Sequence, residues 1–232
     1  MREYLILIPT YNERENIERL LKILIESYPE MDILVIDDHS LDGTIDVLKS
    51  FSDEYPNIQY IVRTDEKGLG TALIRGYREA IKRGYKYLIQ MDADLQHDPS
   101  YISILANKLR EGCDLVISSR YIEGGRIDGW SFTRRLISKC ANIYARIILG
   151  IGVRDLTSGF RGFNVSSLKN IIDELVDVDG FAIQVETIYR MYRKGYHICE
   201  TPFIFKPRIH GSSKLGISII LEFFIRVLKL RF

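Results

Sequence analysis

The stretch YLIQMDADLQH, residues 87–97, opens as a short apolar run and closes on acids. Tyr87, Leu88 and Ile89, with Met91 behind them, read as a strand buried in a parallel sheet. Asp92, Asp94 and Gln96 then place three polar acceptors within five positions. If the extended chain continues, alternate residues share a face, and these side chains point one way at the end of a buried strand. Two carboxylates held together repel unless a cation sits between them. An oxygen-only set of ligands suits a hard divalent ion, Mg²⁺ or Mn²⁺. Taken alone, Asp-x-Asp also fits an acidic loop that merely keeps a strand end soluble, so the neighbouring segments carry the decision.

Upstream, the same pattern recurs. Residues 4–8 (YLILI) read as a buried strand, followed by Pro9-Thr10-Tyr11-Asn12-Glu13 and an amphipathic helix to about Ser27. Asn12, with Glu15 three residues on, fits a capping-box variant and is read as a helix cap. Glu13 is a charge favoured at a helix N-terminus. A second strand, residues 32–36, ends in Asp37-Asp38-His39-Ser40, and a third covers residues 58–62. Lys67-Gly68-Leu69-Gly70-Thr71 opens the next helix but lacks the further glycine of a dinucleotide site and the Gly-Lys-Ser/Thr of a P-loop. It is read as a tight turn. Ligands of open α/β sheets bind at the carboxyl ends of strands. Two acidic strand ends in one sheet outweigh either alone.

Downstream, Asp98-Pro99 starts a helix to about Arg110, and residues 114–118 form another strand ending at Ser119-Arg120-Tyr121. Gly124-Gly125-Arg126 reads as a flexible loop. The alternation of strands and helices to this point predicts a parallel, doubly wound sheet. From Ser131 the pattern changes. Residues 131–149 form a basic amphipathic helix with Arg134, Arg135, Lys139 and Arg146. Residues 155–164 are loop and short strand, 181–194 a helix carrying Glu186, and 196–205 a last strand. Residues 208–214 form a polar loop with two cations, Arg208 and Lys214, and residues 215–232 close the chain with a strongly apolar segment.

The chain of 232 residues suffices for one large α/β domain with a full core. A formal net charge of +1 gives no reason to expect nucleic acid. Cys113, Cys140 and Cys199 are scattered, with neither metal spacing nor a disulfide framework, as expected in a reducing cytoplasm. The N-terminus enters its first strand directly, without the look of a signal peptide, and no segment reaches the ~18 uncharged apolar residues of a membrane span.

Six stretches taken together resemble family 2 glycosyltransferases of the GT-A fold, and among them the dolichol-phosphate (polyprenyl-phosphate) mannose synthases. They are Pro9-Thr10-Tyr11-Asn12-Glu13, Ile36-Asp37-Asp38, Asp92-Ala93-Asp94, Ser119-Arg120-Tyr121, Asp155-Leu156-Thr157-Ser158-Gly159-Phe160-Arg161, and the Arg208 to Lys214 loop. They run in the family's order over nearly the whole chain. The resemblance implies a GT-A fold over residues 1–214 with a C-terminal amphipathic helix over 215–232. It implies that Pro9, Tyr11, Glu13, Ile36 and Asp38 hold the base and ribose of a sugar nucleotide. It implies a metal and diphosphate site at Asp92, Ala93, Asp94 and Gln96, and phosphate or sugar contacts from Arg120, Arg208 and Lys214. The implied catalytic residues are Asp94, Arg208 and Lys214. One departure from the family pattern is that no multi-span membrane domain follows the catalytic region, and the expectation is the short form with a catalytic domain only.

The expected reaction is inverting transfer of mannose from GDP-mannose to dolichyl or polyprenyl phosphate, with Mg²⁺ or Mn²⁺, by a peripheral protein on the cytoplasmic face of a membrane. A membrane-anchoring subunit or a homo-oligomer is compatible with it. The rivals are another donor such as UDP-glucose, a sugar-hydroxyl acceptor, and a non-catalytic sugar-nucleotide binder. A hydroxyl acceptor needs a general base, for which Asp155, Asp179 and Glu186 are candidates. A phosphate acceptor, with its second pKa near ~6, needs none. The C-terminal segment reads either as a helix packed on the core or in a subunit interface, or as an in-plane helix with Arg226, Lys229 and Arg231 near anionic headgroups.

Overall fold

The computed structural model describes residues 3–175, 180, 182–207 and 217–232, with only the backbone for 217–222. Seven strands form one mixed sheet: β1 (Tyr4–Thr10), β2 (Asp32–Asp37), β3 (Ile58–Val62), β4 (Tyr87–Gln90), β5 (Leu115–Ser119), β7 (Arg161–Asn164) and β8 (Ile198–Pro202), with β6 (Arg126–Ile127) standing outside it. Their order across the sheet is β3-β2-β1-β4-β7-β5-β8. All neighbours are parallel except β7, which runs antiparallel between β4 and β5. The parallel sheet expected from the alternation is therefore present, with one reversed strand that a short loop-like stretch concealed.

The strands read as unbroken apolar runs because both faces are covered. Leu5, Leu7, Leu34, Ile36, Leu88 and Ile117 project to one side, against α3 (Leu69–Lys82), α5 (Phe132–Leu149) and α7 (Ala182–Arg193). Ile6, Ile8, Ile33, Val35, Ile89 and Val116 project to the other, against α1 (Arg14–Ser27), α2 (Thr44–Glu54) and α4 (Ile102–Arg110). Helix α1 buries Ile17, Leu20, Leu21 and Leu24 at helical spacing. Each fully buried Leu or Ile contributes roughly 1.5–3 kcal/mol of transfer free energy. Helix α3 lies so close to β1 that a Cβ at Gly76 would overlap the Leu7 side chain. The short helix α6 (Val165–Lys169) follows β7.

Several expectations are corrected. Strand β4 stops at Gln90, and the chain turns at once, with Leu95 at φ 60°. Asp92, Asp94 and Gln96 thus sit on a tight loop and not on one face of a strand. Asn12 is not a cap: it lies at φ 55°, and its side chain accepts the Leu41 N–H at 2.9 Å, tying two loops together. Glu13 occupies the N-cap position. The loop at 124–126 ends in β6, which pairs with β9 (Ile204–Phe205), and the last expected strand is broken at Phe203.

The expectation of unpaired cysteines also fails. Cys113 and Cys199 form a disulfide with Cα atoms 6.1 Å apart, across 86 residues of sequence, because the parallel pairing of β5 with β8 brings them together.

The C-terminal helix α8 (Ile217–Arg231) buries Phe223 and Val227 and packs on α5 and α7. Arg226 turns inward and donates to the buried Glu186 carboxylate at 2.8 and 3.0 Å, so it does not face outward with Lys229 and Arg231. No helix among the described residues is long and apolar enough to cross a membrane.

Candidate active site

The carboxyl ends of β1, β2 and β4 open into one cavity of about 750 Å³. Pro9, Tyr11 and Glu13 line it from the end of β1, Asp38 from β2, Lys67 and Gly68 from the turn before α3, and residues 92–97 from the loop after β4. Arg120, Trp130, Arg134, Thr157 and Gly159 complete the polar side. Leu69, Ala72, Ile137, Ala141 and Phe223 make the remaining wall apolar. The fold thus gathers most of the expected site residues. Ile36 is the exception: its side chain lies in the core beside Leu5 and Leu7 and does not reach the cavity. Arg208, Lys214 and Asp179 lie outside the described residues.

The two acids at the end of β2 part company. Asp37 is fully buried and accepts both the Ser40 N–H at 2.8 Å and its hydroxyl at 2.6 Å, which shapes the turn. Asp38 accepts from the buried Arg63 guanidinium, including Nε at 2.7 Å, and from the Gly68 N–H at 2.8 Å. The Gly68 amide is therefore engaged by protein. Tyr11 lies under Lys67, whose Nζ is 5.4 Å from the ring centroid. Glu13 accepts from Asn16 Nδ2 at 2.6 Å.

On the acidic loop, Asp94 is buried and its Oδ1 caps the turn by accepting the Gln96 N–H at 3.1 Å. The Gln96 side chain donates to the Lys206 carbonyl at 3.0 Å, linking the loop to the end of β9. His97, which closes the stretch 87–97 but was given no role in the sequence reading, organises the other acid. Its Nδ1 accepts the Asp92 N–H at 2.9 Å, its Nε2 lies 3.7 Å from Asp92 Oδ2, and its ring stacks on Phe160. Gly159 closes the opposite side: a Cβ there would come 3.5 Å from both Asp92 carboxylate oxygens. Asp92, Asp94 and Gln96 thus line one cavity with two carboxylates and an amide, oxygen donors of the kind a hard divalent cation takes.

Arg120 is buried and held by Asp155, which accepts its Nε and Nη2 at 2.7 Å each and its backbone N–H at 2.9 Å. Burial pushes the Asp155 carboxyl up, but the Arg120 charge and hydrogen bonds outweigh it and hold it below the usual carboxylate range. Asp155 is thus committed to an ion pair and is not placed as a general base. Glu186 is likewise bound by Arg190 and Arg226. Arg161 is fully buried and donates to the carbonyls of Leu156, Ser158 and Gln184, which fixes the loop carrying Thr157 and Gly159. Burial pushes its guanidinium down to about 10.

Beside the cavity runs a groove of about 890 Å³ with Arg126, Arg135, Lys139, Arg146 and Arg154 on its walls, and Arg120 lines both spaces. Arg63, His97 and Asp155 were invisible as partners in the sequence. The available signals were a charged residue just after a strand (Arg63) and an imidazole closing an acidic loop (His97).

Residues 5–172 match the family described as Glycosyl transferase family 2. The polyprenol monophosphomannose synthase of Mycolicibacterium smegmatis is 37% identical over 96% of this chain and 84% of its own length. The undecaprenyl-phosphate mannosyltransferase of Micrococcus luteus is 38% identical over 96% and 91%. The dolichol-phosphate mannosyltransferase of Pyrococcus furiosus is 39% identical over 97% of this chain and 62% of its own length. Among solved structures, the glucosyl-3-phosphoglycerate synthase of Mycobacterium tuberculosis, crystallised with Mn²⁺, UDP-glucose and glycerol 3-phosphate, superposes with a TM-score of 0.71 at 16% identity, covering 99% of this chain and 80% of that one. At that identity the likeness shows the fold.

Proposed function

The chain belongs to glycosyltransferase family 2, and from that premise we propose that it transfers a mannosyl group from GDP-mannose to a polyprenyl phosphate, with inversion at the anomeric carbon. The observation that carries this reading is the meeting of an acidic cavity and a basic groove at one buried arginine, Arg120. The first suits a sugar nucleotide with its cation, and the second suits a second phosphate.

Asp92, Asp94 and Gln96 are the residues to hold Mg²⁺ or Mn²⁺. A bound divalent ion supplies neutralisation of the diphosphate as it leaves. Tyr11, Glu13 and Asp38 line the end where the nucleoside fits. Arg120 lines both cavity and groove, and Arg134 lines the cavity and stacks on Trp130, with Cζ 4.0 Å from the ring centroid. The chain's part in the chemical step is to align the acceptor phosphate and screen its charge. That phosphate is anionic at neutral pH, so the engagement of Asp155 and Glu186 in ion pairs removes nothing the reaction requires. Arg208 and Lys214 are proposed to close over the diphosphate.

The same reading places the protein peripherally on the cytoplasmic face of a membrane. Exposed Phe132, Leu136, Ile143 and Ile147 on α5, and Ile225, Leu228 and Phe232 at the C-terminus, alternate with exposed cations, the composition of an interfacial surface. The test is a screen of radiolabelled sugar nucleotides against polyprenyl phosphate with extraction of the lipid product. Labelled lipid from GDP-mannose, abolished by EDTA and restored by Mg²⁺ or Mn²⁺, is expected. Labelling from UDP-glucose instead overturns the donor, and label appearing only on a sugar acceptor overturns the lipid.

A further inference from the structure

At the far edge of the sheet three metal-ligating side chains meet. Cys113 lies just before β5, His197 just before the edge strand β8, and Cys199 near its start. Their ligand atoms all fall within 4.8 Å of one another. His197 and Cys199 are two apart on extended chain, so their side chains leave the same side. The His197 backbone is pinned there, donating to Asp114 Oδ2 at 3.0 Å and accepting the Asp114 N–H at 2.8 Å. His197 Nε2 stands 3.7 Å from Cys199 Sγ. Two ligands on one tetrahedral zinc, nitrogen at about 2.1 Å and sulfur at about 2.3 Å, stand about 3.6 Å apart. His197 is exposed and Cys199 half-buried, so an ion can enter from solvent.

We propose that reduction of the Cys113–Cys199 disulfide opens a Cys₂His site for a thiophilic divalent ion such as Zn²⁺. The donor chemistry sets it apart from the all-oxygen acidic loop. A dithiol reductant delivers two electrons and two protons, the S–S bond breaks to two thiols, and the reductant closes its own disulfide. Binding of the ion releases both thiol protons, the two thiolates and the His197 Nε2 lone pair occupy three positions, and water takes the fourth. In the disulfide each sulfur is bonded to the other, so the oxidised chain lacks the two thiolates the site needs. None of Cys113, His197 and Cys199 lines the cavity, so occupancy is read independently of glycosyl transfer.

The test uses the full chain carrying Cys140→Ser, which removes the exposed free thiol. After reduction and removal of the dithiol under nitrogen, Co²⁺ is titrated in excess Mg²⁺. One equivalent is expected to bind with thiolate-to-cobalt absorption in the near ultraviolet and to be displaced by Zn²⁺. The signal is expected to be absent from the unreduced chain and from the Cys199→Ser variant. His197→Ala, at an exposed position, is expected to keep the fold and weaken binding at least about tenfold. If the reduced chain gives no more thiolate-to-cobalt absorption than Cys199→Ser, or if His197→Ala binds Co²⁺ as tightly, the cluster is a disulfide beside a bystander imidazole. Should reduction alone unfold the chain, recovery of its circular dichroism on adding Zn²⁺ supports the site and failure to recover overturns it.

Discussion

The acidic cavity and the basic groove share Arg120, yet they are assembled differently. The cavity draws its acids from the ends of β1, β2 and β4 and its cations from other elements, and Asp38, Asp94 and Arg120 are buried there. The groove draws three of its six charges, Arg135, Lys139 and Arg146, from a single helix, α5, on which Arg135 and Lys139 stand in solvent. A buried charge is costly unless paired, so each cavity group is tied to a named partner at a fixed position. Exposed cations cost little, are screened by salt, and act through their sum. One region should therefore fail abruptly when a single group is changed, and the other should fade by degrees.

The largest effect is expected at the joint between them. Asp155→Asn leaves Arg120 buried without its carboxylate and should cost about 3–5 kcal/mol of stability, seen as a fall in thermal midpoint. The pH dependence has a definite sign. The folded Asp155 carboxyl lies below its ordinary value of 3.8, so the unfolded chain takes the proton more readily. Its contribution is fully present above about pH 4 and is lost as pH falls through the folded value, and the variant should lack that part of the acid sensitivity. Equal midpoints for both proteins from neutral pH to pH 3 would show that the pair stabilises nothing.

Next in size is Asp94→Asn, which removes a charge from the proposed cation site but keeps the shape of the turn. Turnover should drop by about 100-fold or more, roughly 3 kcal/mol, with an unchanged thermal midpoint. Retention of normal turnover would move the cation elsewhere.

The smallest effects belong to the groove. Arg135→Ala and Lys139→Ala should each weaken binding to anionic vesicles by about 1 kcal/mol at low salt, additively, with the difference vanishing at high salt. Loss of all lipid labelling from either one, at any ionic strength, would make that side chain a specific phosphate ligand and erase the contrast drawn above.

What could be read directly from the chain was local. Apolar runs such as residues 4–8 and 87–89 announce buried strands because both faces of the sheet are covered. Acids placed directly after them lie at the sheet's carboxyl edge whatever the rest of the chain does, which is why Asp38, Asp92 and Asp94 were found. The order of the six family-like stretches was legible for the same reason, since each is a contiguous string. Partnership was not. Asp155 meets Arg120 from 35 residues away, Asp38 meets Arg63 from 25, Glu186 meets Arg226 from 40, and Cys113 meets Cys199 from 86. The reversed strand β7 enters between β4 and β5 by the same kind of long-range choice. Burial dictates that a charge must find a partner, but only the path of the folded backbone decides which one comes within reach.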